Sequence, residues 1–207
     1  MATDIVLRAA RLARHLPDRM LHRRRRQSAA RRLASRPRPA AMLFICHGNI
    51  CRSPFAEASA RRRLPAATRV ESAGFIGPDR PSPPEAVAAA AELGMDLTPH
   101  RSRVLTPEML RAADLVLVMD AGQRQRLLLG RPALAERIFL LGDFDPEPIE
   151  RRAIPDPVEK PVEAFRSCYA RIERCTSLLC GLWDQNAPEQ PDGQGGELGQ
   201  RGGRQAQ

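Results

Sequence analysis

The sequence predicts an α/β protein, a three-layer sandwich in which helices cover both faces of a four-stranded parallel sheet. Three observations predict it. Short apolar runs such as "AMLFIC" (41–46) and "DLVLVMD" (114–120) lack polar alternation, as strands buried on both faces do. Segments with helical spacing and helix-start residues lie between them. Strand and helix then alternate, the pattern of right-handed βαβ crossovers.

The elements follow in order. Residues 41–46 form the first strand. A helix runs from Ser53 to Leu64, with Pro54 suited to its first turn. "RVESAG" (69–74) is the second strand. "PPEAVAAAAELGM" (83–95) is a helix with Pro before it and Gly94 near its end. "TPEMLRAA" (106–113) is a short helix with Thr106 as N-cap and Pro107 at the first position. Residues 114–120 are the third strand and "AGQRQRLLLG" (121–130) the next helix. "RIFLLGDF" (137–144) is the fourth strand. Asp143 and Asp145 read as shaping the loop that follows it. After a Pro-rich loop, residues 161–183 form a closing helix. Its Cys168 and Cys175 share one face, so core packing is expected of them.

Composition bounds the rest. The 207 residues fit one domain plus tails. No run approaches the ~20 apolar residues that cross a bilayer. Five cysteines, unevenly placed, make a poor disulfide framework, so a reducing cytoplasm is expected. The formal charge of +9 is unevenly spread: residues 1–40 carry twelve Arg against Asp4 and Asp18, a net +10, which leaves the other 167 residues at −1. Residues 1–40 therefore read as an Arg-rich, mobile extension. Pro37 and Pro39 favour an extended link to the domain. The segment is either a solvated arm or a basic arm touching acidic lipid or nucleic acid. Its composition also resembles an organelle transit peptide, and it lacks the apolar region of a secretory signal. Residues 41–183 form the domain. The Gly/Gln-rich residues 184–207 have no apolar period and read as a disordered tail.

In a parallel sheet, ligands sit beyond the carboxyl ends of the strands. Cys46 lies there, at the start of "CHGNICRS" (46–53). Gly48 allows close backbone approach to a ligand, and Asn49 tolerates left-handed dihedrals. Successive N–H groups in such a loop form an anion nest, and the helix dipole adds positive charge. Arg52 supplies a planar fork that matches phosphate oxygens. The same surroundings suit Cys46 as a thiolate, and Ser53 can donate a hydrogen bond to it. A thiolate attacking phosphate expels an oxygen that needs a proton. "AIPDPVEKP" offers Asp156, stiffened by Pro155 and Pro157 and placed after the fourth strand. The same carboxylate could later activate water.

These residues resemble the low-molecular-weight protein tyrosine phosphatases. That family shows a strand, then C-x-G-N-x-C-R-S-P, then a D-P loop near the C-terminal helix. Here the pattern is Cys46, Gly48, Asn49, Cys51, Arg52, Ser53 and Pro54, then Asp156-Pro157. The resemblance spans about 41 to 183, through "ESAG", "MD" and "FDP". It implies a phosphocysteine intermediate, no metal and no cofactor, and a phosphorylated protein substrate, with phosphotyrosine the expected group. It makes Cys46 the nucleophile, Arg52 the phosphate clamp and Asp156 the proton donor, and it implies that Asn49, Ser72 and His100 hold the loop's shape.

Several residues keep alternatives. Cys51 is a packing residue or a redox guard that closes a disulfide on Cys46; the resemblance favours the second. His47 is the loop's non-motif position. A metal site with Cys46 and Cys51 lacks further ligands at zinc spacing, which leaves His47 to line the pocket rim. Asp120 caps a helix or touches substrate. Val158-Glu159 follow the D-P pair where the family often has aromatics, and Phe75 and Ile76 stand where a larger aromatic is common. Ile50 occupies a position where arginine phosphatases tend to carry Thr, so it leans toward phosphotyrosine. Arsenate reductases of this fold need two further mid-chain cysteines, and none occurs between 51 and 168. A basic-arm anchoring protein with an inactive domain is the rival of another class. Intact Cys46, Arg52 and Asp156 argue against it.

Overall fold

The structure, a computed structural model, describes residues 2–184. The tail read as disordered lies outside the described residues from 185 onward. A long helix α1 (Ala2–Ala34) precedes β1 (Ala41–Cys46), α2 (Arg52–Arg61), β2 (Arg69–Gly74), α3 (Pro84–Ala91) and α4 (Pro107–Ala112). Then come β3 (Leu115–Val118), α5 (Ala121–Leu128), β4 (Ile138–Leu140) and α6 (Val162–Gly181). The four strands form one parallel sheet in the order β2-β1-β3-β4. Cys46 pairs in register with Gly74, so β1 and β2 end together at the site.

Strand alternation divides the core in two. Met42, Phe44 and Cys46 point to the face covered by α2, α3 and α6. Leu43 and Ile45 point to the other, under α4 and α5. Apolar residues on both sides of each strand thus produce the three layers. The third and fourth strands are shorter than the apolar runs 114–120 and 137–144 that announce them. Asp120 leaves the third run to cap α5, its Oδ1 accepting from Gln123 N at 2.8 Å. Leu141–Phe144 turn into a 3-10 helix. Thr106 caps α4 by accepting from Met109 N. Along α6, Phe165, Tyr169, Ile172 and Leu179 recur at helical spacing and are buried. Cys168 and Cys175 are buried with them.

Residues 1–40 differ from the expected mobile extension. Within them α1 covers Ala2–Ala34, and its later turns pack on the domain, with Ala29 and Leu33 inside the core cluster. The reason is local chemistry that an arginine count hides. His22 Nε2 bonds the Asp145 carbonyl at 2.8 Å, and Arg26 donates to the carbonyls of Asp145 and Pro146. Arg32 and Arg36 pair with Glu136. Asp145 itself is fixed by Arg171 and Arg174 of α6. Asp143 takes Arg152 on both oxygens, at 2.7 and 2.6 Å. Both carboxylates do shape this loop, and through it they anchor α1.

Candidate active site

The loop between β1 and α2 wraps around the Cys46 sulfur. Asn49 N donates to Sγ at 3.2 Å and Ser53 Oγ at 3.0 Å. Asn49 has φ of +51°, the left-handed region in which Asn is among the better-tolerated residues. Its fully buried side chain fixes the loop. Nδ2 donates to Ser53 Oγ at 2.9 Å and Ser72 Oγ at 2.8 Å, while Oδ1 accepts from Arg103 N at 2.8 Å. Ser72 in turn donates to Glu57 Oε2 at 2.5 Å. The donors run one way on each branch: Asn49 to Ser72 to Glu57, and Asn49 to Ser53 to Cys46. His100 Nε2 lies 2.7 Å from the Asn49 carbonyl.

Arg52 begins α2 and is nearly enclosed, its side chain 5% exposed. Nη1 donates to the Ile154 carbonyl at 3.2 Å, Nη2 pairs with Asp156 Oδ2, and Nε is buried without a hydrogen-bond partner. Asp156 is therefore at the same strand edge as Cys46, although they lie 110 positions apart in the chain. The thiol, His47, Ile50, Cys51, Arg52 and Asp156 share a pocket of about 190 Å³. Ile76, Val158 and Arg80 complete its wall. Burial pushes the Cys51 thiol up, and the neighbouring Cys46 and Asp156 charges add to this while Arg52 opposes it. Burial likewise pushes Cys168 up to about 12. Both keep their protons at neutral pH.

Several residues that matter here have no signal in the motif. Gly74 ends β2 against the loop, where a Cβ would stand 2.7 Å from Asn49 N and 2.9 Å from the His47 carbonyl. Arg80 Nη2 donates to the Gly48 carbonyl at 2.9 Å, in the space that a Gly48 side chain would fill. Tyr169 donates from α6 to the Cys51 carbonyl at 3.2 Å and stacks on Phe55 with ring centroids 3.9 Å apart. Gly74 alone was visible, as the last letter of "ESAG". Glu57, Arg80 and Tyr169 become partners only once the chain is folded. A second cleft adjoins the pocket, lined by Phe75, Asp120, Gln123 and Arg126, with Arg126 lying 4.3 Å over the Phe75 ring.

A buried thiol held by N–H and O–H donors, next to a guanidinium and a carboxylate, is equipped to exchange a phosphoryl group through sulfur. Cysteine-based phosphatases are the class with that chemistry on this fold. Residues 41–187 match the family model of the low molecular weight phosphotyrosine protein phosphatases, and the chain belongs to that family. Among its relatives is the low molecular weight protein-tyrosine-phosphatase Etp of Escherichia coli K12, 37% identical over 136 residues, 65% of this chain and 88% of Etp. The fold is similar to that of the Erwinia amylovora tyrosine phosphatase AmsI, with TM-score 0.63 and 29% identity over 70% of this chain and 93% of that one. It is also similar to the YwlE arginine phosphatase of Geobacillus stearothermophilus, with TM-score 0.63 and 27% identity over 70% and 94%.

Proposed function

We propose that this enzyme hydrolyses protein phosphotyrosine through a phosphocysteine on Cys46. The observation that carries the reading is the sulfur at the base of the 190 Å³ pocket, receiving hydrogen bonds from Asn49 N and Ser53 Oγ. The bound phosphate lies in the nest of residues 47–53, that is His47, Gly48, Asn49, Ile50, Cys51, Arg52 and Ser53. Arg52 clamps its oxygens, and the buried, unpartnered Nε is a donor that a phosphate oxygen satisfies. The thiolate attacks phosphorus, the P–O bond to the tyrosine breaks, and Asp156 in its acid form gives the phenolic oxygen its proton. Asp156 then takes a proton from water as that water attacks phosphorus, and the S–P bond breaks to release phosphate and the Cys46 thiolate. The Ser53 hydroxyl stabilises the departing thiolate. Asn49, Ser72 and His100 hold the loop in shape. If peroxide converts Cys46 to a sulfenic acid, the Cys51 thiol condenses with it, forming a disulfide and releasing water.

Pocket chemistry favours phosphotyrosine over phosphoarginine. Ile50, Ile76 and Val158 offer apolar wall to an aryl ring. A substrate guanidinium would meet Arg52 and Arg80, with Asp156 the one carboxylate among the lining residues. The experiment is a side-by-side assay of the purified enzyme on phosphotyrosine, phosphoarginine and arsenate. Turnover of phosphotyrosine with vanadate as competitive inhibitor supports the reading, and preferred turnover of phosphoarginine contradicts it.

Two finer readings stand as proposals. Five free thiols support a cytoplasmic protein. Contact of segment 1–40 with acidic lipid or nucleic acid is supported by Arg19, Arg23 and Arg31, all exposed on α1. Exposed Leu16 and Met20 on the same helix favour the lipid surface. Sedimentation with anionic vesicles, set against binding to duplex DNA, separates the two.

A further inference from the structure

A further cleft, of about 610 Å³, lies between α1 and α5 over β4 and shares no residue with the Cys46 pocket. Five arginines line it: Arg24, Arg25 and Arg32 from α1, Arg124 from α5, and Arg152 from the loop that leads to Asp156. Asp143 is the one carboxylate among its lining residues. Asp18 and Glu136 pair with two of these arginines from outside the wall, and with them counted the group still carries +2.

We propose that this cleft binds a small ligand bearing two or more phosphate groups. Its volume falls within the roughly 300–1,000 Å³ of ligand sites. Guanidinium forks match phosphate oxygens, and a concave positive wall concentrates anions. A multivalent ligand compensates the excess charge where a single small anion leaves part of it. Four of the five guanidiniums are already oriented. Asp18 holds Arg25 at 2.8 Å, Glu136 holds Arg32 at 3.0 Å, the Ile138 carbonyl holds Arg124 at 3.2 Å, and Asp143 holds Arg152. Arg24 makes no ion pair with a described residue, and its fork is open to a ligand. Phe139 and Leu140 give an apolar floor for the rest of the molecule. Three of the arginines precede residue 41, outside the segment that matches the family, so the site belongs to this chain's extension. It does not depend on the chemistry at Cys46.

The test uses the full chain with vanadate present, so that phosphate groups do not report on the catalytic pocket. One arm titrates inorganic tripolyphosphate by calorimetry. The other sediments the protein with phosphatidylcholine vesicles, with and without phosphatidylinositol bisphosphate. Tripolyphosphate is expected to bind one-to-one and more weakly as salt rises. Arg24→Gln combined with Arg32→Gln is expected to weaken it by about tenfold or more, as loss of charge-assisted bonds does. The control Arg111→Gln on α4 should leave it unchanged. Binding confined to the bisphosphate vesicles and lost in the double variant assigns the same chemistry to a lipid headgroup. No binding in either arm, or binding that the double variant leaves intact, overturns the proposal.

Discussion

Arg52 and Asp156 form an ion pair at the mouth of the Cys46 pocket. Arg52 is the fixed partner: its side chain is 5% exposed and tied to the Ile154 carbonyl, whereas that of Asp156 is 37% exposed. In the proposed mechanism a phosphate entering the pocket would compete for the Arg52 fork and free the Asp156 carboxyl to act as the acid. Asp156→Asn keeps the shape and removes the acid. It should lower kcat by about 10²–10⁴ for poorly departing alcohols, and much less for phenols that leave unaided. Rates across a series of aryl phosphates of graded acidity check this: the variant should depend more steeply on the leaving group than the wild type.

Asn49 is the node of the loop. Asn49→Ala removes the side-chain bonds to Ser53, Ser72 and Arg103 N and puts alanine at a φ of +51°. Left-handed strain costs about 1–2 kcal/mol, and buried groups left unpaired cost about 1–3 kcal/mol each. Thermal unfolding should come several degrees lower. Because Arg52 remains to bind phosphate, kcat should fall far more than KM rises.

Leu33 tests the docking of α1. It is 3% exposed, within the core cluster, although it precedes the segment that matches the family. Leu33→Ala should destabilise the domain by roughly 2–4 kcal/mol, the usual cost of emptying a buried leucine site. Urea denaturation measures it. An unchanged midpoint would mean that the helix does not pack on the domain.

Thiol chemistry should single out Cys46. Burial pushes Cys51 and Cys175 up, and pushes Cys168 and Cys180 up to about 12. A thiol with a raised value keeps its proton below that value, so these four remain neutral from pH 6 to 9. Brief treatment with iodoacetamide at pH 7 should leave one adduct, on Cys46, and phosphate or vanadate should protect it. Mass mapping of the adduct decides. Equal labelling of Cys51 would contradict the burial that keeps its thiol protonated.

Much of the sheet could be read from letters alone. β1 and β2 have the bounds read from "AMLFIC" and "RVESAG"; the first is buried throughout, while the second starts with exposed Arg69 and half-buried Glu71 and is buried only toward the site. The ends of β3 and β4 could not be read so, because Asp120 is drawn into a cap and Leu141–Phe144 into a 3-10 turn by neighbours distant in sequence. The loop motif marks Cys46, Gly48, Asn49, Cys51, Arg52 and Ser53, since its spacing is local. Glu57, Arg80 and Tyr169 left no such mark, being joined to the loop by folding alone. The extension misled for a related reason. An arginine run looks solvated until carbonyls at Asp145 and Pro146 and the carboxylate of Glu136 are placed opposite it.

The proposed mechanism requires that the Cys46 sulfur carry the phosphoryl group. Hydrolysis of an aryl phosphate by the Cys46→Ser protein, folded as judged by its thermal transition, tests it most directly. Turnover by this variant should fall to the background rate while vanadate-sensitive activity persists in the wild type. Full activity in Cys46→Ser would contradict it.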